Sequence, residues 1–413
     1  MKFKTLFIAL VSVLLFFSCD SDDQFETVEI AKPILMTKAE FRQSIEIIEP
    51  APLNEVGKIY AYKNYIFITE PNKGIHIIDN TNPESPFISK FIKILHNEDI
   101  SIKNDLLYAD NAFDLVVFDI SDINSITEVD RLEDIFNSFD YYQIDDSLVF
   151  DEIDYTGINY EEDIIIGWET ETITRKIIEE PDYPDYLYAV EEASFDDVGQ
   201  GGSLARFKIV KDFLYTVSSY EMFIFDIQNL ENPSLVNTQN IGWGIETIFY
   251  ADDYLYLGGE RGMYIYGVND PAFPEYISEF THWEGCDPVV VDGNYAYLTL
   301  RGGNLCGQDE SVLEVIDVSN KANPTLASRY TLENPYGLGF KENTLFVSDG
   351  TAGLKLFDKT DPINLKLTTE YTNINSKDLI PLENSLLMIG DTSLVQYKYT
   401  QNGIEEISTF PLK

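Results

Sequence analysis

The chain has 413 residues and a formal net charge of −43 at pH 7, because 71 acidic residues outnumber 28 basic ones. An acidic surface of this kind repels the phosphates of nucleic acids and of anionic lipid head groups. We therefore expect no nucleic acid partner. The chain contains three histidines, which argues against the chemistry of a metal hydrolase.

The first 18 residues have the pattern of a lipoprotein signal peptide. A short basic start precedes an apolar run of 12 residues, Leu6 to Phe17, which is too short to span a bilayer. The run ends at Phe16-Phe17-Ser18-Cys19, which resembles a bacterial lipobox, whose cysteine is acylated and becomes the first mature residue. We therefore predict a signal peptide over residues 1–18, lipidation of Cys19 and an acidic linker over residues 19–40. A soluble secreted protein cut nearby is the alternative.

The predicted linker begins with the acidic run Asp20-Ser21-Asp22-Asp23. Such a run directly after the lipidated cysteine resembles the signal that sends some lipoproteins of Gram-negative bacteria to the outer surface. An ordinary solvated linker is the alternative. The sequence thus predicts a surface-exposed outer membrane lipoprotein that touches the membrane only through its lipid anchor.

A polar turn then recurs with a period near 41 residues. Five of the seven spacings are 41, and the other two, 66 and 49, contain insertions of 25 and 8 residues. The recurring residues are Asn64, Asp105, Asp146, Asp212, Asp253, Asn294, Asn343 and Asn384. A period of this length indicates an array of small, similar structural units.

Each unit contains signals for four short strands, which we call a to d. Runs such as Tyr254-Leu255-Tyr256-Leu257 flank the polar turn and predict strands a and b of a hairpin. In five of the eight units a third strand ends at an Asp, as in Ile77-Ile78-Asp79, and a fourth strand follows. The repeated Asp suggests a turn that it opens by accepting a backbone N–H bond, rather than a catalytic group.

Eight such units predict an all-β fold, a β-propeller of about eight four-stranded blades in a single domain over residues 41–413. A ring of seven blades with one degenerate unit is the alternative. The third unit departs most, because it lacks the terminal Asp and carries the 25-residue insertion.

The unit resembles the LVIVD repeat. Gly353-Leu354-Lys355-Leu356-Phe357-Asp358 and Leu313-Glu314-Val315-Ile316-Asp317-Val318-Ser319-Asn320 carry the resemblance most clearly. The resemblance implies a propeller fold and a cell-surface or exported location, and it implies no particular reaction.

Two cysteines, Cys286 and Cys306, fall in the sixth unit. Cys286 lies at the start of strand a, beside the end of strand b, and Cys306 lies in a glycine-rich loop that follows strand b and can fold back. We predict a disulfide between them, which an exported compartment permits. Two free thiols or a metal-binding pair are the alternatives.

Loops b–c and d–a of every blade emerge on one face, which we call the b–c/d–a face. The insertions and the unrepeated residue types concentrate there, and such loops commonly carry function. Tryptophan faces with arginine neighbours suit a sugar ring or an anionic small molecule. The alternative is that these aromatics plug the central channel or cover the sheet ends. The candidate ligand-binding residues are Trp243, His282, Trp283, Tyr336, Arg261 and Arg301.

The favoured function is a non-catalytic binding scaffold for a glycan, a peptide or a partner protein. The alternative is a propeller enzyme of the glycosidase or lyase type, with paired carboxylates drawn from Glu246, Glu284 and Asp287. No cofactor and no metal site are predicted. Calcium could bind acidic clusters such as Asp151-Glu152-Asp154, although the spacing of a calcium loop is missing from the sequence.

Overall fold

The computed structural model describes residues 25–136, 148–176, 200–204, 206–281, 288–302, 310–401 and 403–413. It divides into two compact units, residues 1–37 with 144–188, and residues 38–143 with 189–413. The predicted single domain over residues 41–413 differs from this division, because the middle of the chain belongs with the N-terminal segment.

The described residues contain seven four-stranded blades, numbered I to VII in chain order, and a few further elements. The blade strands are, for blade I, β3 (Ile59–Tyr62), β4 (Tyr65–Glu70), β5 (Gly74–Asp79) and β6 (Phe87–Lys93); for blade II, β7 (Ile100–Lys103), β8 (Leu106–Asn111), β9 (Asp114–Asp119) and β10 (Thr127–Leu132); for blade III, β14 (Phe207–Val210), β15 (Phe213–Val217), β16 (Glu221–Asp226) and β17 (Ser234–Asn240); for blade IV, β18 (Ile245–Ala251), β19 (Tyr254–Gly259), β20 (Gly262–Gly267) and β21 (Glu275–Thr281); for blade V, β22 (Val289–Asp292), β23 (Tyr295–Leu300), β24 (Val312–Asp317) and β25 (Thr325–Thr331); for blade VI, β26 (Leu338–Lys341), β27 (Thr344–Ser348), β28 (Leu354–Asp358) and β29 (Lys366–Tyr371); and for blade VII, β30 (Asp378–Pro381), β31 (Ser385–Ile389), β32 (Ser393–Thr400) and β33 (Gly403–Pro411). The other elements are β1 (Phe25–Thr37), α1 (Lys38–Gln43), β2 (Glu46–Ile48), β11 (Glu152–Ile153), β12 (Asp163–Lys176) and β13 (Gln200–Gly201).

The first unit is a three-stranded sheet in the order β11-β1-β12. Strand β1 pairs antiparallel with β12 from Phe25, opposite Lys176, to Thr37, opposite Asp163. The predicted linker over residues 19–40 is therefore wrong over residues 25–37. The strand forms because the insertion of the third period supplies its partner, and this pairing buries Val28 and Ala31.

The second unit is a closed ring of blades, which confirms the predicted β-propeller. Each blade is an antiparallel sheet, and the a strands of neighbouring blades contact one another from blade II round to blade VII and from blade VII to blade I. Seven clusters of buried apolar side chains lie one at each junction between adjacent blades. At the closing junction Ile59 and Ile66 of blade I pack against Ile380 and Leu387 of blade VII. Because each blade takes its four strands from one continuous stretch, hydrophobic packing between blades closes the ring.

The described residues form eight sheets, in keeping with eight periods, but seven of them make up the ring. Blade II packs directly on blade III, with Tyr108 and Phe225 in the same apolar cluster. The third period contributes its strands to the three-stranded sheet of the first unit. The seven-bladed alternative therefore describes the ring, and the degenerate period is the one with the long insertion.

The repeated polar residues are part of the scaffold, as predicted. Hairpin residues such as Lys63, Asp105 and Asp253 have φ values of 52°, 66° and 61°, which tight turns require. In five of the seven blades the third strand ends at an Asp that accepts an N–H bond from the residue two positions later. The bonded pairs are Asp79 with Thr81, Asp119 with Ser121, Asp226 with Gln228, Asp317 with Ser319 and Asp358 with Thr360.

Helix α1 fastens the start of the propeller chain to blade II. Phe41 is fully buried and its ring contacts the rings of His96 and Phe113. The Arg42 guanidinium forms two hydrogen bonds with the buried carboxylate of Asp114, at 2.7 and 3.0 Å. Paired, charge-assisted bonds of this kind fix both position and orientation.

Candidate functional site

Four of the six candidate ligand-binding residues lie in the described part of the chain. Trp243 and Arg261 are exposed, and Arg301 and Tyr336 are half-buried. His282 and Trp283 lie outside the described residues, as do Cys19, Cys286 and Cys306. Lipidation and the disulfide therefore stay predictions.

Trp243 lies in a loop between β17 and β18 whose backbone conformation depends on two glycines. Its flanking residues Gly242 and Gly244 have φ values of 128° and 65°, which other residues rarely adopt. A Cβ atom on Gly244 would lie 2.5 Å from the Glu260 side chain, so glycine also permits the close approach. The Trp243 side chain is left 63% exposed.

Backbone hydrogen bonds hold this loop on both sides. The N–H groups of Ile241 and Ile245 donate to the carbonyls of Tyr220 and Ser219, each at 3.0 Å. The N–H of Glu260 donates to the Gly244 carbonyl at 2.9 Å. The exposure of the tryptophan is thus a property of an anchored loop.

The Trp243 ring stacks on the Tyr220 ring, with centroids 6.3 Å apart and planes inclined by 22°. Tyr264 lies at the foot of the same loop, where its ring would be 3.3 Å from a Cβ on Gly242. Burial raises the pKa of the Tyr264 hydroxyl and the charge of Arg261 works in the opposite direction. We call Tyr220, Trp243, Tyr264 and Arg261 the III–IV platform.

A second group lies between blades V and VI. The Arg301 guanidinium stands 4.3 Å from the centroid of the Tyr336 ring, a cation–π contact. The Tyr336 backbone is fixed, because its N–H donates to the Ser348 carbonyl at 2.8 Å and its carbonyl accepts a bond from the Thr299 hydroxyl at 2.5 Å. Lys377 lies 5.9 Å from the same ring. We call Arg301, Tyr336 and Lys377 the V–VI cluster.

The structure thus brings Arg301 to Tyr336 and Arg261 to the neighbourhood of Trp243, in two separate groups on the b–c/d–a face. Trp243 is 63% exposed and Tyr336 is half-buried, and the alternative that these aromatics plug the central channel or cover the sheet ends stays a prediction. A segment of the chain itself lies at the centre of the ring.

Residues 200–204 cross the ring centre, which sequence reasoning missed. Strand β13 pairs with the a strand of blade I, placing Gln200 opposite Ala61. The Ser203 N–H donates to the Asp378 carboxylate at 3.3 Å, and the Ser203 hydroxyl accepts a bond from the Leu338 N–H at 2.8 Å. The segment therefore touches blades I, VI and VII before the chain enters blade III. The adjacent glycines at 201 and 202 were the available signal.

Close packing explains why glycine stands at position 202. A Cβ atom there would lie 1.6 Å from Oδ2 of Asp378, which is an impossible contact. Burial raises the pKa of Asp378 to about 7, and N–H bonds from Leu379 and Ser203 offset part of this effect. The ring centre therefore holds a carboxyl group that is costly to ionise.

Buried acids at the ends of b strands have a structural role in blades II and VI. Asp110 accepts bonds from the side chain of Asn97 and from the N–H groups of Glu98 and Asp99, at 2.8 to 3.0 Å. Burial, together with the Glu98 charge, raises the pKa of Asp110 to about 7. In blade VI, Asp349 holds the incoming loop in the same way. Because the arrangement repeats, it belongs to the scaffold.

Of the acids considered for catalysis, Glu246 is buried at a bulge between Ile245 and Thr247. Glu284 and Asp287 lie outside the described residues. Across the described ranges, no group of three or more His, Cys, Asp or Glu side chains is placed to hold a metal ion. Nor does any helix in that part of the chain have the length and apolar character needed to cross a membrane.

The LVIVD repeat family model matches residues 55–91, 96–134 and 286–332. These ranges correspond to blades I, II and V. The chain carries LVIVD repeats and is an LVIVD-repeat β-propeller. No curated protein matches its sequence.

Solved structures resemble the chain in fold. A functionally unknown protein from Desulfotomaculum acetoxidans has a TM-score of 0.53 and 12% identity, covering 84% of this chain and 99% of its own. A protein from Lactobacillus plantarum has a TM-score of 0.51 and 11% identity, covering 79% and 87%. The computationally designed Ika8 protein has a TM-score of 0.51 and 8% identity, covering 87% and 88%. At these identities the similarity shows the fold alone.

Proposed function

We propose that this chain is a lipid-anchored binding scaffold on the cell surface whose b–c/d–a face binds a saccharide. The III–IV platform supplies the surface on which a sugar ring stacks. The observation that carries the proposal is the 63% exposure of Trp243 in a loop anchored by hydrogen bonds.

Exposure of this indole ring has a free-energy cost. Tryptophan side chains are mostly buried in proteins, and leaving apolar surface in water forfeits about 25 cal/mol for each Å². Two glycines with positive φ and an inter-blade hydrogen bond are needed to hold Trp243 outward. A ligand that covers the ring recovers this free energy, and the flat aromatic surface suits the C–H face of a sugar.

The anchor is proposed from the sequence. Five residues separate Cys19 from the first residue of β1, and a segment of this length reaches at most about 20 Å. Acylation of Cys19 would therefore hold the sheet of the first unit close to the bilayer. A Cys19→Ser variant is expected to leave the detergent phase in a partition assay, and unchanged partitioning would contradict the anchor.

A glycan array with purified protein lacking the signal peptide tests the binding function. We expect Trp243→Ala to lower affinity for the bound glycans about 10- to 100-fold, as is usual for a central aromatic contact. Phe273→Ala is the matched control, because Phe273 is 61% exposed on the opposite face of the same blade.

Two results would contradict the proposal that the ligand is a saccharide. One is equal glycan binding by wild type and Trp243→Ala. The other is binding of peptides or proteins alone, with no glycan retained. Thermal unfolding of both variants shows whether a loss of binding reflects a loss of folding.

A further inference from the structure

We infer that the saccharide is acidic, and that Arg261 and Arg301 recognise its carboxylate groups. The inference rests on the proposed function, because it specifies the ligand class of the same face.

Most arginines of this chain are neutralised by the protein itself. The sequence has seven arginines. Five pair with carboxylates in the structure: Arg42 with Asp114, Arg131 with Asp114 and Glu128, Arg175 with Glu26 and Glu152, Arg206 with Glu98, and Arg329 with Glu314. For Arg261 and Arg301, no carboxylate among the described residues lies within the 4.0 Å of an ion pair.

This difference is informative because acidic residues outnumber basic ones by 71 to 28. A carboxylate partner is available almost everywhere on such a surface. The two exceptions lie in the b–c loops of consecutive blades, IV and V, on the face that displays Trp243. Arginine is also the residue best suited to bind carboxylates, through two parallel N–H bonds.

The Arg301 side chain is preorganised for ligand binding. Its guanidinium is held over the Tyr336 ring at 4.3 Å, and the Tyr336 backbone is fixed at both its N–H and its carbonyl. A guanidinium held over an aromatic ring can keep N–H donors at its edge for a ligand. The neighbouring Lys377 already has Asp391 at 2.7 Å. Within the described residues, Arg301 is thus the cation of the V–VI cluster that has no carboxylate partner.

The overall charge narrows the ligand class. A net charge of −43 repels a densely charged polyanion at distances up to the Debye length, about 10 Å at moderate salt. A few separated carboxylates can still reach the two arginines. An oligosaccharide containing uronic acid fits both requirements, with its rings on Trp243 and its carboxylates on Arg261 and Arg301.

The test compares short oligogalacturonides with their methyl esters, which keep the sugar skeleton and lose the charge. Wild-type protein is expected to bind the acids about 10- to 100-fold more tightly than the esters, in line with hydrogen bonds to charged groups. Arg261→Gln and Arg301→Gln should each weaken acid binding towards the ester value and weaken ester binding much less. Lys211→Gln is the matched control, because it removes the same charge from an exposed turn on the opposite face.

Each outcome decides between the two proposals. If acids and esters bind equally and Trp243→Ala abolishes both, the acidic ligand is wrong and the binding face stands. If neither probe is bound and the array retains no glycan, the proposed function itself fails. Tighter binding of sulfated oligosaccharides than of uronates, or loss of ester binding in the arginine variants, would overturn the assigned carboxylate recognition.

Discussion

Replacing Asp378 by Asn is expected to stabilise the propeller at alkaline pH and to have little effect at acid pH. The carboxyl group is buried at the ring centre, and its pKa is raised from 3.8 to about 7, mainly because burial penalises the charged form. Asn keeps the shape of the side chain. Its amide nitrogen would replace Oδ2, which has no hydrogen-bond partner in the described structure. The protonated acid and the amide therefore both place one unpaired polar group at this position.

The sign follows from proton binding. A raised pKa means that the folded state binds the proton more tightly than the unfolded state, so the stability from this group is full below pH 3.8 and is lost as pH rises through about 7. The difference of about three pKa units corresponds to about 4 kcal/mol. About 3 kcal/mol of this should develop between roughly pH 5 and pH 8.5.

Urea unfolding of wild type and Asp378→Asn over this pH range measures the difference in the free energy of unfolding. The comparison cancels the effect of the large net charge, which both proteins share almost equally. Asp358→Asn is the control, because the pKa of this exposed, hydrogen-bonded aspartate is lowered from 3.8, so its difference from wild type should stay constant over this pH range. A difference between wild type and Asp378→Asn that stays constant with pH would refute the reasoning.

Three further predictions concern the scaffold. Gly202→Ala should prevent residues 200–204 from docking and lower the melting temperature sharply, because the new Cβ would lie 1.6 Å from a carboxylate oxygen of Asp378. Gly267→Ala is the control and should be tolerated, because the nearest atom to its Cβ would be 3.5 Å away. Equal melting temperatures of the two variants would contradict the prediction. Phe41→Ala should lower the free energy of unfolding by about 3–5 kcal/mol in urea, since a fully buried aromatic side chain is removed; a change under about 1 kcal/mol would show that α1 is dispensable. Mass spectrometry without reductant should find Cys286 and Cys306 joined, and two alkylatable thiols would disprove the disulfide.

Much of the propeller could be predicted because its signals are local. The polar turns near Asp105 and Asp253 require positive φ, and the flanking alternation of side chains defines the hairpins. Asp79 and its counterparts bond to a backbone N–H two residues away. Each of these interactions is complete within a few residues, so a single repeat contains all the information for it.

The candidate site was predictable in part for the same reason. Strand order within a blade places the loops carrying Trp243 and Arg301 on one face. Which residues contact one another depends on neighbouring blades, so the stacking of Trp243 on Tyr220 and the cation–π contact of Arg301 with Tyr336 had no sequence signal.

The sequence by itself determined the repeat, the four-stranded unit and the face on which the unrepeated residues gather. Tertiary structure alone decided that seven blades close the ring, that residues 25–37 form a strand rather than a linker, and that residues 200–204 cross the ring centre. These features join parts of the chain that are more than 100 residues apart. Their formation depends on which distant strand edge is free and how much apolar surface the closed ring buries, and neither quantity is contained in a local pattern.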